Sequence, residues 1–245
     1  MIEIKELTKD FRNKKGIFNI SINIETNEIV GIVGDNGAGK STLIKTIFEE
    51  YSKDSGHIIY NGDSLNREII KKFEFFPDQS IYPKNIKIYD FAYYSALLSG
   101  LRENEIKINL EQLFEALDLV DYKQKTFNDL SAGMQKRALL IICLVSNPKI
   151  IFMDEPTANL DVNSRMEFME LIKFLKKWNK TVIITSHIID ELQTVIDKLV
   201  IIEEGFLKYC SKFDNKVEKI KDIYSKHSTK KAKLKIDKVD FLNER

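Results

Sequence analysis

Apolar and polar positions change rhythm several times along this chain, and each change marks an element. Phe18, Ile20, Ile22 and Ile24 alternate with polar residues, the period of a strand with one buried face. Ile2, Ile4 and Leu7 lead toward it through the polar stretch Thr8 to Gly16, so the opening reads as a small β layer. Glu28-Ile29-Val30-Gly31-Ile32-Val33 is instead a continuous apolar, β-branched run, the pattern of a buried strand, and Leu43 to Phe48 follows with helical spacing. Ser55 to Tyr60 predicts a strand ending in the turn Asn61-Gly62, with His57 exposed, and Phe73 to Phe76 is a further short apolar run. From Ile88 to about Leu144 the period is helical, through Tyr89, Phe91, Ala92, Tyr93, Leu97 and Leu98, then Leu110, Leu113, Phe114, Leu117 and Leu119, with the Tyr89–Tyr94 aromatics read as core.

Strand-like runs then return at Lys149 to Met153, Thr181 to Ser186 and Lys198 to Ile202, with an amphipathic helix expected from Met166 to Trp178 and another beginning at Asp190. Apolar strands alternating with helices make the fold class α/β with a mainly parallel sheet. To this the pattern adds an N-terminal antiparallel β layer and an inserted α-helical subdomain over about residues 80–144. From about Phe213 the chain is rich in lysine with scattered acids, which predicts a charged extension over 213–245, as a solvated helix or partly disordered.

A chain of 245 residues can hold a single domain with a subdomain and bury a sizeable core. The net charge of +1 gives no reason to expect a nucleic acid partner. Cys143 and Cys210 show no pairing logic and read as reduced thiols. The start, Met1 to Lys5, lacks the basic patch and apolar core of a secretory signal. No apolar stretch approaches the ~20 residues needed to span a bilayer, and the longest, Leu139 to Val145, fits a buried helix or strand. Any membrane connection is therefore expected to come through a partner.

Between the Val33 strand and the Leu43 helix lies Gly34-Asp35-Asn36-Gly37-Ala38-Gly39-Lys40-Ser41-Thr42. Strand, glycine-rich turn and helix are the context of a phosphate-binding loop: glycines let backbone N–H groups close round a phosphate, and the helix adds its unpaired N–H groups. Lys40 supplies a positive charge for β- and γ-phosphates and Ser41 a hydroxyl ligand for Mg²⁺. The core is thus read as that of a P-loop NTPase. A second cluster follows the Ile150 run, where Asp154 and Glu155 sit at the carboxyl end of a strand, the edge at which open α/β sheets bind ligands. Asp154 suits Mg²⁺ through water, and Glu155 can orient or deprotonate an attacking water. His187 ends the next strand at the same edge and reads as a γ-phosphate sensor. Phe11 lies in the polar connection of the β layer, where an aromatic can stack on adenine or serve as a stray core residue.

One more stretch, Leu130-Ser131-Ala132-Gly133-Met134-Gln135, precedes a long apolar helix and offers a second helix N-terminus to an anion. With it, the chain resembles the ATP-binding subunit of ABC transporters over nearly its whole length. Their signature motif is LSGGQ; here Ser131 and Gly133 are kept, while Ala132 and Met134 depart from it, a relaxed form similar to that of exporter-type subunits for antibiotic, bacteriocin or multidrug efflux. The resemblance makes Asp154-Glu155 the Walker B element, Ala158-Asn159-Leu160-Asp161 the D-loop, His187 the switch histidine and Phe11 the adenine-stacking aromatic. At the Q-loop, Asp78 stands where the glutamine usually follows proline and Gln79 comes next, so either residue is the candidate to touch Mg²⁺. The resemblance implies ATP and Mg²⁺ as ligands and an ATPase activity on the cytoplasmic face of the cell membrane. It implies a multi-spanning permease as partner and a head-to-tail homodimer or heterodimer of ATPase subunits. Each ATP would lie between the P-loop of one subunit and Ser131, Ala132, Gly133 and Met134 of the other.

The runner-up reading is a soluble ABC-type ATPase in cofactor assembly or another process outside transport. Repair and chromosome members need a long coiled coil, which is absent here, and translation-factor members carry two nucleotide domains in one chain. A guanine-reading site is disfavoured, since Asn179-Lys180-Thr181-Val182 lacks the aspartate of an NKxD motif.

Overall fold

A computed structural model describes residues 1–13, 15–76 and 85–229. Its strands are β1 (Ile2–Asp10), β2 (Gly16–Ile24), β3 (Ile29–Val33), β4 (Ser55–Tyr60), β5 (Asp63–Ser64), β6 (Phe73–Phe76), β7 (Ile150–Asp154), β8 (Thr181–Ser186), β9 (Lys198–Glu203) and β10 (Phe206–Lys212). They form one sheet in the order β5-β4-β1-β2-β10-β9-β3-β8-β7-β6. The stretch β9-β3-β8-β7-β6 is parallel throughout, and β5-β4-β1-β2 is antiparallel. The join is β10, antiparallel to β9 and parallel to β2 at the single pair Phe206↔Phe18. The sequence pattern gave no sign of β10, whose residues alternate poorly and are mostly exposed or half-buried.

The helices are α1 (Lys40–Ile47), α2 (Arg67–Ile70), α3 (Ile88–Leu98), α4 (Glu103–Ala116), α5 (Ala132–Leu144), α6 (Val162–Lys177), α7 (Ile189–Leu192) and α8 (Ile220–His227). Successive strand residues point to opposite faces, and the central strands divide accordingly between two cores. Ile29, Val33, Ile151, Met153, Val182 and Ile184 join the core that α3 to α6 cover. Val30, Ile32, Ile150, Phe152 and Ile183 join the other, which α1 shares with the β1–β2–β4 layer. Burial on both faces is why these strands read as continuous apolar runs.

Several expectations shift. In β2 the buried residues are Ile17, Ile20, Ile22 and Ile24, and Phe18 is only half-buried. Asn19, at φ 52°, breaks the alternation there, and Phe18 stacks on Phe206 instead, ring centres 5.1 Å apart. The helix expected from Met166 begins four residues earlier, at Val162, because the Asp161 carboxylate caps it, accepting from the N–H groups of Asn163 and Ser164 at 3.0 Å. Within α3, Tyr89, Phe91 and Tyr93 pack against the core, but Tyr94 is exposed. After β10, Phe213 and Ile220 are buried in the core, so α8 is docked rather than solvated. Residues 230–245 lie outside the described residues, as do Asp78 and Gln79.

Candidate functional site

The carboxyl ends of β3, β8 and β7 lie side by side, with Val33 opposite Ser186 and Asp154 opposite Thr185. Each strand continues directly into one of the predicted chemical groups, so three segments far apart in sequence converge at one edge. From β3 the chain enters the Gly34–Thr42 loop and then α1, whose N-cap is Gly39 at φ 108°, a conformation that favours glycine. A Cβ on Gly34 would stand 2.3 Å from the carbonyl oxygen of Ile202, so the loop can pass β9 only without a side chain there. Asp35, Asn36 and Gly37 are exposed at the tip, while Ala38, Gly39 and Lys40 are buried. Ser41 is exposed and Thr42 half-buried on the first turn of α1.

Lys40 turns back across this loop. Its Nζ donates to the carbonyl of Gly34 at 2.7 Å and that of Asp35 at 3.2 Å, and lies 3.5 Å from Glu155 Oε1. The other Glu155 oxygen, Oε2, is 2.7 Å from His187 Nδ1. A carboxylate can only accept, so with Glu155 ionised the proton of that bond is on Nδ1. Glu155 itself sits at φ 48°, left-handed backbone that a non-glycine residue adopts at a cost of about 1 kcal/mol or more. Its N–H is held at 3.0 Å by Thr185 Oγ1, and the same hydroxyl donates to Asp154 Oδ1 at 2.5 Å. Thr185 therefore fixes both acids, a part that periodicity could not reveal because the threonine falls inside an apolar strand.

A second network adjoins the first. Glu191, on α7, accepts from Thr157 Oγ1 at 2.6 Å through one oxygen, while its other oxygen is 3.0 Å from Arg165 Nε. Arg165 also donates to the carbonyl of Leu160 at 3.2 Å. The loop after Glu155 is thus tied to the helix after His187. Sequence reading assigned nothing to Thr157, Arg165 or Glu191.

The predicted anion site at Ser131, Ala132, Gly133 and Met134 forms a separate group at the start of α5. Ser131 Oγ caps the helix by accepting from the Met134 N–H at 3.3 Å. Gly133 packs so closely on α6 that a Cβ would lie 2.9 Å from Ser164 Oγ. Ser164 in turn donates to Asp161 Oδ2 at 2.6 Å, and its hydroxyl and N–H hold the Asp161 carboxyl below the usual carboxylate range. Phe11, partly exposed, stands in the β1–β2 connection against Tyr51, ring centres 5.0 Å apart and edge to face.

A family model described as "ABC transporter" matches residues 17–158. A putative ABC transporter ATP-binding protein of Mycoplasma pneumoniae is 33% identical over 221 residues, covering 88% of this chain and 68% of that protein. The chain belongs to the ABC transporter ATP-binding proteins. NatA of Bacillus subtilis, also named an ABC transporter ATP-binding protein, is 31% identical over 85% of this chain and 88% of its own length. The lantibiotic transport ATP-binding protein SrtF of Streptococcus pyogenes is 28% identical over 92% of this chain and 96% of its own length. Among solved structures, an ATP binding subunit of an ABC transporter superposes with a TM-score of 0.81 at 22% identity, over 92% of this chain and 98% of that one. CbiO1 of Clostridium perfringens, part of the complex CbiONQ, gives 0.79 at 24% identity, over 100% of this chain and 98% of that one.

As an ABC ATP-binding protein the chain binds nucleotide and is an ATPase of a transporter system. No helix among the described residues is long and apolar enough to cross a membrane. The donor set near Lys40 fits a hard divalent cation, being hydroxyl and carboxylate oxygen from Ser41 and Asp154, with no thiolate. The described residues hold no cluster of three or more His, Cys, Asp or Glu placed for a metal. A cation here would therefore take much of its coordination from phosphate and water, as Mg²⁺ does.

Proposed function

We propose that the chain is the ATP-hydrolysing subunit of an exporter, held at the cytoplasmic face of the membrane by a separate multi-spanning permease. The observation that carries this reading is the unbroken line from Lys40 through Glu155 to His187 at the mouth of the Gly34–Thr42 loop. An ATP polyphosphate entering the loop competes for Lys40 against the Gly34 and Asp35 carbonyls and Glu155. Moving the ammonium onto β- and γ-phosphates would free Glu155 to orient or deprotonate the attacking water. His187, bonded to Glu155 through Nδ1, keeps that carboxylate turned toward the loop and senses the γ-phosphate. Phe11 offers a face for adenine. Ser41, Asp154 through water, and Asp78 or Gln79 would hold Mg²⁺, which supplies charge neutralisation at the β- and γ-phosphates.

The active form would be a head-to-tail dimer, homomeric or with a related subunit, in which the N-terminus of α5 and Ser131 to Met134 meet the γ-phosphate bound by the other copy. ATP then bridges two positive helix ends and favours closure, whereas ADP does not. Export is favoured by the relaxed signature at Ala132 and Met134 and by the likeness to a lantibiotic transport protein.

Two measurements test this. Glu155→Gln should retain ATP binding, lower turnover by about 100-fold or more, and shift the protein to a dimer on ATP in size-exclusion chromatography. Unchanged turnover would remove Glu155 from its role. Capture of the tagged chain from detergent-solubilised native membranes should recover a multi-spanning protein in stoichiometric amount; a soluble scaffold recovered instead would favour a role in cofactor assembly.

A further inference from the structure

The last described helix, α8, crosses the sheet edge that carries the nucleotide site, and it is tied there at three places. Its approach is clamped by Gln193, just beyond α7, which donates to the Glu218 carbonyl and accepts from the Ile220 N–H, each at 2.9 Å. Its exit is held by Glu203, a carboxylate only 4% exposed at the end of β9. Glu203 accepts from Ser228 Oγ at 2.9 Å, from Thr229 Oγ1 at 2.7 Å and from the Thr229 N–H at 3.1 Å. Between these anchors Ile220 is fully buried, and Tyr224 OH donates to Asp35 Oδ1 at 3.1 Å.

Asp35 is an anomaly in a loop built for anions. It is the second residue of the phosphate loop, its carbonyl bonds Lys40, and its side chain brings a negative charge beside the incoming polyphosphate. Repulsion between that charge and the phosphates opposes binding unless the carboxylate is turned outward and its charge is partly offset by a donor. Tyr224 is such a donor, carried on a helix anchored at both its approach and its exit. Burial, with the Asp35 carboxylate beside it, pushes the Tyr224 hydroxyl above its ordinary range, so it stays protonated and donating at any working pH.

We infer that Tyr224 is a positioning residue for the nucleotide site: held by α8, it keeps the Asp35 carboxylate turned away from the phosphate cradle and so sets the affinity for nucleoside triphosphate. The inference rests on the reading of Gly34–Thr42 as the ATP site, and the two are separable by experiment. Binding of a fluorescent ATP analogue to the full chain tests the first; Tyr224→Phe, which keeps the ring and its packing, tests the second. Tyr224→Phe should weaken binding by about 3- to 10-fold, the range of one typical hydrogen bond, with turnover at saturating ATP within twofold. In an Asp35→Asn background, whatever affinity that change itself sets, adding Tyr224→Phe should alter binding by less than twofold. An unchanged affinity in Tyr224→Phe alone, or the same loss in both backgrounds, would overturn the role assigned to Tyr224. Failure of the unsubstituted chain to bind the analogue would refute the site itself.

Discussion

Glu74 offers the sharpest quantitative test of the fold around the site. It lies on β6, the strand that runs toward the segment carrying Asp78 and Gln79, and its carboxyl is pushed from 4.5 up to about 7. Burial is the main cause, opposed by bonds from the Phe75 N–H and the Ser146 side chain. Cys143 is its titratable neighbour: burial first, then the Glu74 charge, pushes that thiol well above its ordinary value. The folded value thus lies above the unfolded one. Between pH 4.5 and about 7 the folded chain holds a proton that the unfolded chain has lost, and stability falls as pH rises through this window. Below it Glu74 is protonated in both states and costs nothing; above it the full penalty of ionising this half-buried carboxylate is present.

At ~1.4 kcal/mol for each tenfold, that penalty is about 3.5 kcal/mol at most, a sizeable fraction of the ~5–15 kcal/mol that stabilises a typical domain. Glu74→Gln replaces the protonated form by a neutral group of the same shape. It should match the unsubstituted chain near pH 4.5 and exceed it by up to about 3 kcal/mol at pH 8, or about 6–12 °C in Tm for a chain of this size. Urea unfolding of both proteins between pH 4.5 and 8.5, followed by far-ultraviolet circular dichroism, measures the difference directly. A gap that stays constant across that range would refute the desolvated-carboxylate reasoning, because only titration of Glu74 makes the gap depend on pH.

Two further substitutions probe the site's construction. Gly34→Ala places a Cβ against the backbone of Ile202 rather than a movable side chain, and should weaken ATP binding by more than about tenfold, since the phosphate loop must shift to relieve the overlap; calorimetric titration with ATP checks it. Arg165→Ala removes the cation 3.0 Å from the buried Glu191 and leaves that carboxylate its hydrogen bond from Thr157. It should cost about 1–3 kcal/mol of stability and lower turnover more than ATP affinity, which thermal unfolding and steady-state kinetics read separately.

The candidate site of this protein was legible in its sequence wherever the physics is local. A phosphate loop must be a strand, glycines at set positions, a lysine and a helix, all within a dozen or so residues, and Gly34 to Thr42 satisfy that without reference to the rest of the chain. The same holds for Asp154-Glu155 and His187, each announced by an apolar strand that stops at a polar residue. Where local rhythm failed, a specific device overrode it. The bulge at Asn19 exchanged Ile17 for Phe18 in the core, and the Asp161 cap started α6 a turn early, although an Asp before a helical run is itself a readable signal. Contacts between distant segments left no trace at all: Thr185 on two acids, Glu191 between Thr157 and Arg165, and Tyr224 on Asp35 are choices of partner, which no period encodes.

Strand order is what turns those local signals into a site. β3, β8 and β7 are neighbours in the sheet although β3 ends at Val33 and the other two begin only at Thr181 and Ile150. Because all three run parallel, their carboxyl ends fall on one edge, and the register that sets Asp154 beside Thr185 and Val33 beside Ser186 brings Glu155, His187 and Lys40 within bonding reach. An antiparallel β8 would send His187 to the opposite edge and leave Glu155 with Lys40 alone. The helices between β6 and β7 do not disturb this geometry, since they are inserted at one side of the sheet and cover a single face. The same topology accounts for α8: β9 is the other neighbour of β3, so a helix following the β9–β10 hairpin returns to the edge where the phosphate loop begins, and its tyrosine meets Asp35 there.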